Sequence, residues 1–471
     1  MKRLMIFIFF SVVLTSCQMQ SEQPEPVSTG IPISYNIDYT LDQPMPSYTI
    51  INRHDYTDRL HGFWLGQSIG NWTGLVTEMD KIGGPGPHGE FYTRDDWGKP
   101  DQPAIWGEGK SSDLSSSIDF VFRGENEVWG ADDDTDLEYI YQYSLFKNQT
   151  SLLTAEQIKT AWIDHIYDEK KVTPYGKDNA GYQNYLWVSN QRAHELMLEG
   201  VLPPHTSKPE KNPHGEMIDA QLTTEIFGLF APGHPDAALK MAALPIRTTA
   251  SGDAVYAAEF YVILYSLAAT SNTSSSIKDN LHSMLKEARQ HLPESSYTAA
   301  MYDFVKGEYD KGTKWEDVRD ELYMKYQVRQ EDGYDISSRN LYCNGCFASG
   351  INFGASLISL FYGNGDIKET IKIATLCGWD SDNPAATWGG LIGFMLGKGG
   401  VEDAFGRTFS KQFNIHRTRK GFPDKGVDDF DNMARTGVIV TDQAIVELLG
   451  GRLSADRSEW IIPYLRERII N

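Results

Sequence analysis

Cysteine is scarce in this chain, with four in 471 residues. A disulfide-stapled fold is thereby excluded, so stability has to come from a buried apolar core. Cys343 and Cys346 form the pair "CNGC", but no second CxxC and no spaced histidine pair accompanies it to complete a zinc site. Locally paired or buried thiols are the plain expectation for Cys343, Cys346 and Cys377. Positive charge is also short: 43 Lys and Arg face 64 Asp and Glu, a formal net charge of -21. Nucleic acid and anionic lipid are poor partners for such a surface, because their phosphates are repelled; cations are not. There is no HExxH pair, no GxSxG nucleophile elbow and no P-loop. The eleven histidines show no ligand spacing. Alternating strand patterns are few, and no apolar run is long enough to span a bilayer comfortably.

The N-terminus reads as a targeting segment. Lys2 and Arg3 precede the apolar stretch "LMIFIFFSVVL", and "LTSC" ends at Cys17. This resembles a bacterial lipoprotein signal, with residues 1–16 removed and Cys17 lipidated. The polar, proline-containing residues 17–46 suit a flexible tether, leaving 47–471 as one folded body. The implied location is the bacterial cell envelope, with the lipid anchor as the sole membrane contact.

Past the tether, helical periodicity dominates. "YTDRLHGFWLGQSIGNWTG", "MIDAQLTTEIFGLFAP", "PDAALKMAAL", "DAVYAAEFYVILYSLAATS", "SGINFGASLISLFYG" and "DIKETIKIATLCG" each place apolar residues at helical spacing. "SIDFVFRG", Ser117 to Gly124, is one alternating segment and predicts a strand in a small hairpin. Residues 81–110 and 202–215 are long polar loops of the kind that cover a site. The fold class is all-α, a compact multi-helix orthogonal bundle with long loops over a cleft.

Two acidic segments stand out. In "GADDDTDLEYIYQY", Thr135 and Glu138 have capping-box spacing, predicting a helix from about Thr135. Asp132, Asp133 and Asp134 then lie just before it. In "GWDSDNPAATWGGLIG", Asn383 and Pro384 predict a helix start, again preceded by acids, Asp380 and Asp382. Inside that helix Gly389, Gly393 and Gly397 recur every four residues, a smooth stripe for close helix packing. Acids at a helix N-terminus complement its dipole. Asp and Asn oxygens are equally suited to hard cations. Spacing alone leaves both readings open: one shared metal site, or two separate caps. An EF-hand is excluded, since Leu137 stands at its glycine position.

Taken in order, "DRLHGFWLGQSIGNWTGLVTE", "DDDT" and "GWDSDNPAATWGGLIG" resemble three motifs of the ADP-ribosylglycohydrolase family, over roughly residues 58–398. The resemblance implies an all-α hydrolase with two divalent cations, Mg2+ or Mn2+, in its cleft. By position, Asp132, Asp133, Asp134, Asp380, Asp382 and Asn383 fall on metal ligands, and Glu78 falls on the acidic residue that works at the glycosidic bond. Three positions depart from the pattern: Asn71 replaces an Asp, while Asp132 and Asn383 replace hydroxyl residues. The implied activity is cleavage of the anomeric bond of an ADP-ribosyl or related ribofuranosyl substrate. An exported glycosidase acting on a furanose-containing glycan or nucleoside, and a catalytically silent binding lipoprotein, are the alternatives. The substrate-binding residues and the oligomeric state are not legible.

Overall fold

The computed structural model describes residues 48–107, 109–177, 181–272 and 274–463, all within one compact unit. Cys17 and the tether lie outside the described residues. Among the described residues there are fourteen α-helices. In the first half these are α1 (Arg53–Gly74), α2 (Asp133–Asn148), α3 (Ala155–His165), α4 (Val188–Leu198), α5 (Ile226–Leu229), α6 (Pro235–Thr249) and α7 (Asp253–Ala268). In the second half they are α8 (Ile277–Arg289), α9 (Tyr297–Lys311), α10 (Trp315–Leu322), α11 (Ser349–Gly363), α12 (Ile367–Cys377), α13 (Asp382–Phe405) and α14 (Phe430–Glu447). No helix of the described residues is long and apolar enough to cross a membrane.

The centre of the fold is α1 against α13. From Leu60 to its end, α1 is buried on every side, which is why its apolar residues need no single stripe. Gly62 and Gly66 face the glycine stripe of α13 expected from the sequence, and Gly70 faces Ala385 at its start. A Cβ on Gly66 would stand 2.1 Å from the carbonyl oxygen of Gly389, and one on Gly393 2.3 Å from that of Gly62. Backbone therefore meets backbone. At the far end of the contact Gly397 takes a left-handed φ of 71° and bends α13. Helices α12 and α14 pack around this pair, and α7 forms a second buried layer with α5, α6 and α11. Inside α7, the exception to its apolar run, Glu259, accepts a hydrogen bond from Arg247 at 3.0 Å.

The strands lie elsewhere than expected. Segment 117–124 makes only an isolated bridge, Pro100 to Ser117. Its Phe120 and Phe122 pack on Phe405, and the Val121 N–H donates to Thr73 Oγ1 at 3.1 Å, so its polar groups are met without a strand partner. Two small three-stranded sheets form instead. One joins β1 (Tyr48–Asn52) to β6 (Glu459–Pro463) and β5 (Arg452–Leu453), closing the two ends of the described chain together. The other joins β2 (Trp129–Gly130), β3 (Gln412–Asn414) and β4 (Val427–Asp429), and its first strand leads directly into the acidic turn.

"MIDAQLTTEIFGLFAP" is also not one helix. A 3-10 turn at Ile218–Ala220 and the single turn of α5 are separated by turns. Thr223 and Thr224 hydroxyls donate to the carbonyls of Asp219 and Ala220, holding a compact path that turns Gln221 toward Asn383.

Candidate metal centre

Both acidic helix starts differ from the spacing-based expectation, and both differences move acids into the site. Helix α2 begins at Asp133, with Asp132 as N-cap. The reciprocal cap is between Asp132 and Thr135: the Asp132 N–H donates to Thr135 Oγ1 at 3.0 Å, and the hydroxyl returns to the Asp132 carbonyl at 3.0 Å. Glu138 is no part of it. Its carboxylate is fully buried, accepting from Gln67 Nε2 and from the Ile226 N–H. Helix α13 begins at Asp382 after Ser381, so Asn383 lies in the first turn rather than at the cap. Asp132 and Ser381 take the cap positions, which places Asp133 and Asp134 in the first turn of α2 and Asp382 and Asn383 in the first turn of α13.

The last turn of α1 brings the two starts together. A Cβ on Gly74 would stand 2.3 Å from the Asp382 Cα, so only glycine lets α13 begin this close. Carboxylate oxygens of Asp132, Asp133, Asp134 and Asp382 lie within 4.8 Å of one another, and those of Glu78, Asp380 and Asp382 form a second such group. Asp382 belongs to both. Glu78 is placed by a backbone clasp. The Met79 N–H donates to the Trp379 carbonyl at 2.8 Å, and the Trp379 N–H to the Lys81 carbonyl at 2.7 Å. Met79 and Trp379 both have left-handed φ, 56° and 55°. These two bonds, around two strained residues, fix the loop after α1 against the loop before α13.

The amide of Asn71 sits at the heart of the cluster. Its Nδ2 lies 3.3 Å from Asp134 Oδ2 and 3.5 Å from Oδ2 of both Asp132 and Asp382. Asn383 Nδ2 donates to Asp134 Oδ1 at 3.2 Å, and its Oδ1 accepts from Gln221 Nε2 at 3.3 Å. Among the described residues Arg417 is the one cation ion-paired to the cluster, 3.1 Å from Asp132 Oδ1. The fully buried Arg419 sits one layer out, 2.9 Å from Asp136.

So many carboxylates cannot all ionise here unaided. Burial, then the neighbouring acids, push Glu78, Asp133, Asp134 and Asp380 well above the ordinary carboxyl range, and Asp382 up to about 6. Buried oxygens of Asp382 and Asn71 have no hydrogen-bond partner. Hard oxygen donors, excess negative charge and unmet oxygens fit divalent cations, and two overlapping carboxylate groups offer room for two.

The spacing of the motifs did not reveal Asn71 as the centre, nor Asp219, Gln221, Asn352 and Arg417 as its surroundings. The Asp380 N–H donates to Asn352 Oδ1 at 3.2 Å, and buried Asp219 adds its charge beside Asp380. No local signal marks these residues, since they reach the site from separate helices and turns. "GQSIG", residues 66–70, has the GxSxG spacing, yet it lies within α1 with Ser68 buried, so it is not a nucleophile elbow. Cys343 and Cys346 are joined as a disulfide, and Cys377 is a buried free thiol.

The sequence model described as ADP-ribosylglycohydrolase matches residues 52–422. No curated protein matches the chain. A solved structure titled "ADP-ribosylglycohydrolase-related protein complex" is similar at 14% identity and a TM-score of 0.44, covering 83% of this chain and 99% of that one. With the family match running from the start of α1 through both acidic helix starts, the chain belongs to the ADP-ribosylglycohydrolase family.

Proposed function

We propose that the protein is a metal-dependent glycohydrolase that cleaves the anomeric bond of an ADP-ribosyl or related ribofuranosyl substrate. The observation that carries this reading is the place of Glu78, a half-buried carboxyl beside Asp380 and Asp382 at the edge of a charge-excess acid cluster. Asp132, Asp133, Asp134, Asp380, Asp382 and Asn383 would hold two divalent cations, Mg2+ or Mn2+. Such ions supply a positive field that orients sugar hydroxyls and makes a bound water more acidic.

The chain's own residues do the rest. Water adds to the anomeric carbon as the bond to the departing oxygen or nitrogen breaks. Glu78 takes the proton from that water, or passes one to the leaving group. The carboxylates around it stabilise the positive charge that develops on the sugar ring. Arg417 holds Asp132 in place, and Asn352 fixes the backbone of Asp380.

The test is turnover of ADP-ribosylated peptide, nucleosides and furanosyl glycans by purified protein with Mg2+ or Mn2+. Glu78→Gln and Asp382→Asn should each cost on the order of 10²–10⁴ in kcat, and chelation should abolish activity. Turnover indifferent to all three would end this reading. Binding without turnover is the second reading, and Asn71 favours it: an amide stands where the resemblance places a carboxylate. Wild-type protein that binds substrate and metal but hydrolyses none of the panel would select it. We further infer attachment to the bacterial cell envelope through Cys17. Metabolic palmitate labelling that persists in Cys17→Ser would refute the anchor.

A further inference from the structure

Four aromatic rings stand in a row beside the acid cluster. Trp187 and Trp106 have centroids 6.2 Å apart with planes 14° from parallel; Trp106 and Phe347 are 6.1 Å apart at 6°; Phe347 and Tyr342 are 6.2 Å apart at 19°. Trp106 and Trp187 are each 42% exposed and Tyr342 66%, while Phe347 between them is buried, only 9% exposed, so three of the four rings reach the surface. Large rings left this open, in a continuous array, mark a contact surface.

Trp106, Phe347 and Trp187 are each tied to the site by a short path. The N–H of Ile105, next to Trp106, donates to the carbonyl of Met79, which follows Glu78, at 3.1 Å. Asn352 Nδ2 donates to the carbonyls on either side of Phe347, those of Cys346 and Ala348, while its Oδ1 accepts from the Asp380 N–H. Trp187 caps α4, whose Asn190 N–H donates to Asp219 beside Asp380. The disulfide has a place in this array. Cys343–Cys346 closes a turn with three successive left-handed residues, Cys343, Asn344 and Gly345, and the residues immediately outside the bridge are Tyr342 and Phe347. The bridge restrains the backbone between the two ring-bearing residues.

We propose that this row is a substrate subsite beside the acid cluster, and that its occupant is an uncharged oligosaccharide. The proposal rests on the glycohydrolase reading of the acid cluster. A sugar ring offers an apolar face of C–H bonds to an aromatic plane, and a chain of rings needs successive planes at regular spacing. The three solvent-open rings, Trp187, Trp106 and Tyr342, are more than one nucleobase covers. Charge points the same way. Three nearby arginines are already paired: Arg417 with Asp132, Arg419 with Asp136, and Arg339 with Asp335 and Glu216. A net charge of -21 further disfavours a diphosphate.

The test reads binding apart from turnover. Intrinsic tryptophan fluorescence is titrated with an array of neutral oligosaccharides, and with ADP-ribose for comparison, on the intact protein with Mg2+. At least one oligosaccharide should perturb the emission and compete with substrate. Trp106→Ala, Trp187→Ala and Tyr342→Ala should each weaken it by about three- to tenfold, and Trp106→Phe should recover most of the loss. Cys343→Ser with Cys346→Ser should weaken it similarly while thermal stability and metal binding stay near wild type. ADP-ribose bound through the row with no oligosaccharide bound overturns the proposal, as does ligand binding indifferent to all three ring truncations. Ring-dependent oligosaccharide binding without hydrolysis would leave the row standing and remove the glycohydrolase reading instead.

Discussion

Asn71 donates to Asp134 across 3.3 Å, from the last turn of α1 to the first turn of α2, and the same amide nitrogen faces Asp132 and Asp382. One neutral group thus holds three carboxylates from two helix starts. Half a turn of the amide would exchange the donor for Oδ1, a neutral ligand oxygen. Asn71→Asp replaces the donor with a further negative charge. It should lower metal-free stability by about 1–3 kcal/mol and enlarge the stabilisation that Mg2+ provides. Thermal melts with and without chelator check both signs, and a variant that melts like wild type in both conditions refutes this role for the amide.

Metal itself should raise the melting temperature. Binding to the folded state alone contributes about 2.7 kcal/mol at a hundredfold excess over Kd. Chelated protein titrated with Mg2+ or Mn2+ should show a saturable rise, and Asp382→Asn, which removes the carboxylate shared by both groups, should lose most of it. A flat melting temperature across the titration would exclude the metal site.

Stability of the metal-free protein should fall as pH rises. Burial lifts the carboxyls of Asp382 and Asp136 to about 6 in the folded chain, against about 3.9 when unfolded. Between those values the folded state holds more protons than the unfolded one. The contribution is therefore fully present below the unfolded pKa and is lost as pH climbs through the folded value. Urea midpoints should drop from pH 5 to pH 7 without metal. Saturating Mg2+, which favours the ionised carboxylates, should shrink or reverse the slope. A metal-free midpoint that rises over this range contradicts the electrostatic account.

Gly66→Ala should be among the most damaging single-methyl changes. Its Cβ would meet the Gly389 carbonyl at 2.1 Å, where neither backbone can retreat without opening the α1–α13 contact. A loss of about 3 kcal/mol or more is expected, at the top of the overpacking range. Gly307, within α9, has nothing within 4 Å of its Cβ position, so Gly307→Ala should be neutral or stabilising by up to about 1 kcal/mol. Denaturant unfolding of the two variants compares them directly.

The helices were legible where periodicity or punctuation is local. Pro235 opens α6 at its first residue, and the apolar run of α7 is a buried core helix interrupted by Glu259. Segment 117–124 misled because alternating apolar residues need a partner strand, and its rings found Phe405 instead. The stretch around Gln221 misled because its threonine hydroxyls compete for the carbonyls a helix would use. The N-caps fall three and two residues earlier than spacing favoured, at Asp132 rather than Thr135 and at Ser381 rather than Asn383, because Thr135 bonds back to the Asp132 N–H from the third helical position.

Sequence alone determined the all-helical class, the glycine stripe of α13 and the two acidic segments as places of surplus charge. These follow from short-range chemistry: periodic burial, backbone freedom and like charges in succession. Tertiary structure decided that the two segments meet, that Glu78 joins them, that Asn71 lies at their centre and that four separated aromatic residues line up beside them. Each of those depends on close backbone approach between elements far apart in the chain. The glycines permit that approach and the clasp of Met79 with Trp379 fixes it, and neither carries a local signal of what it brings together.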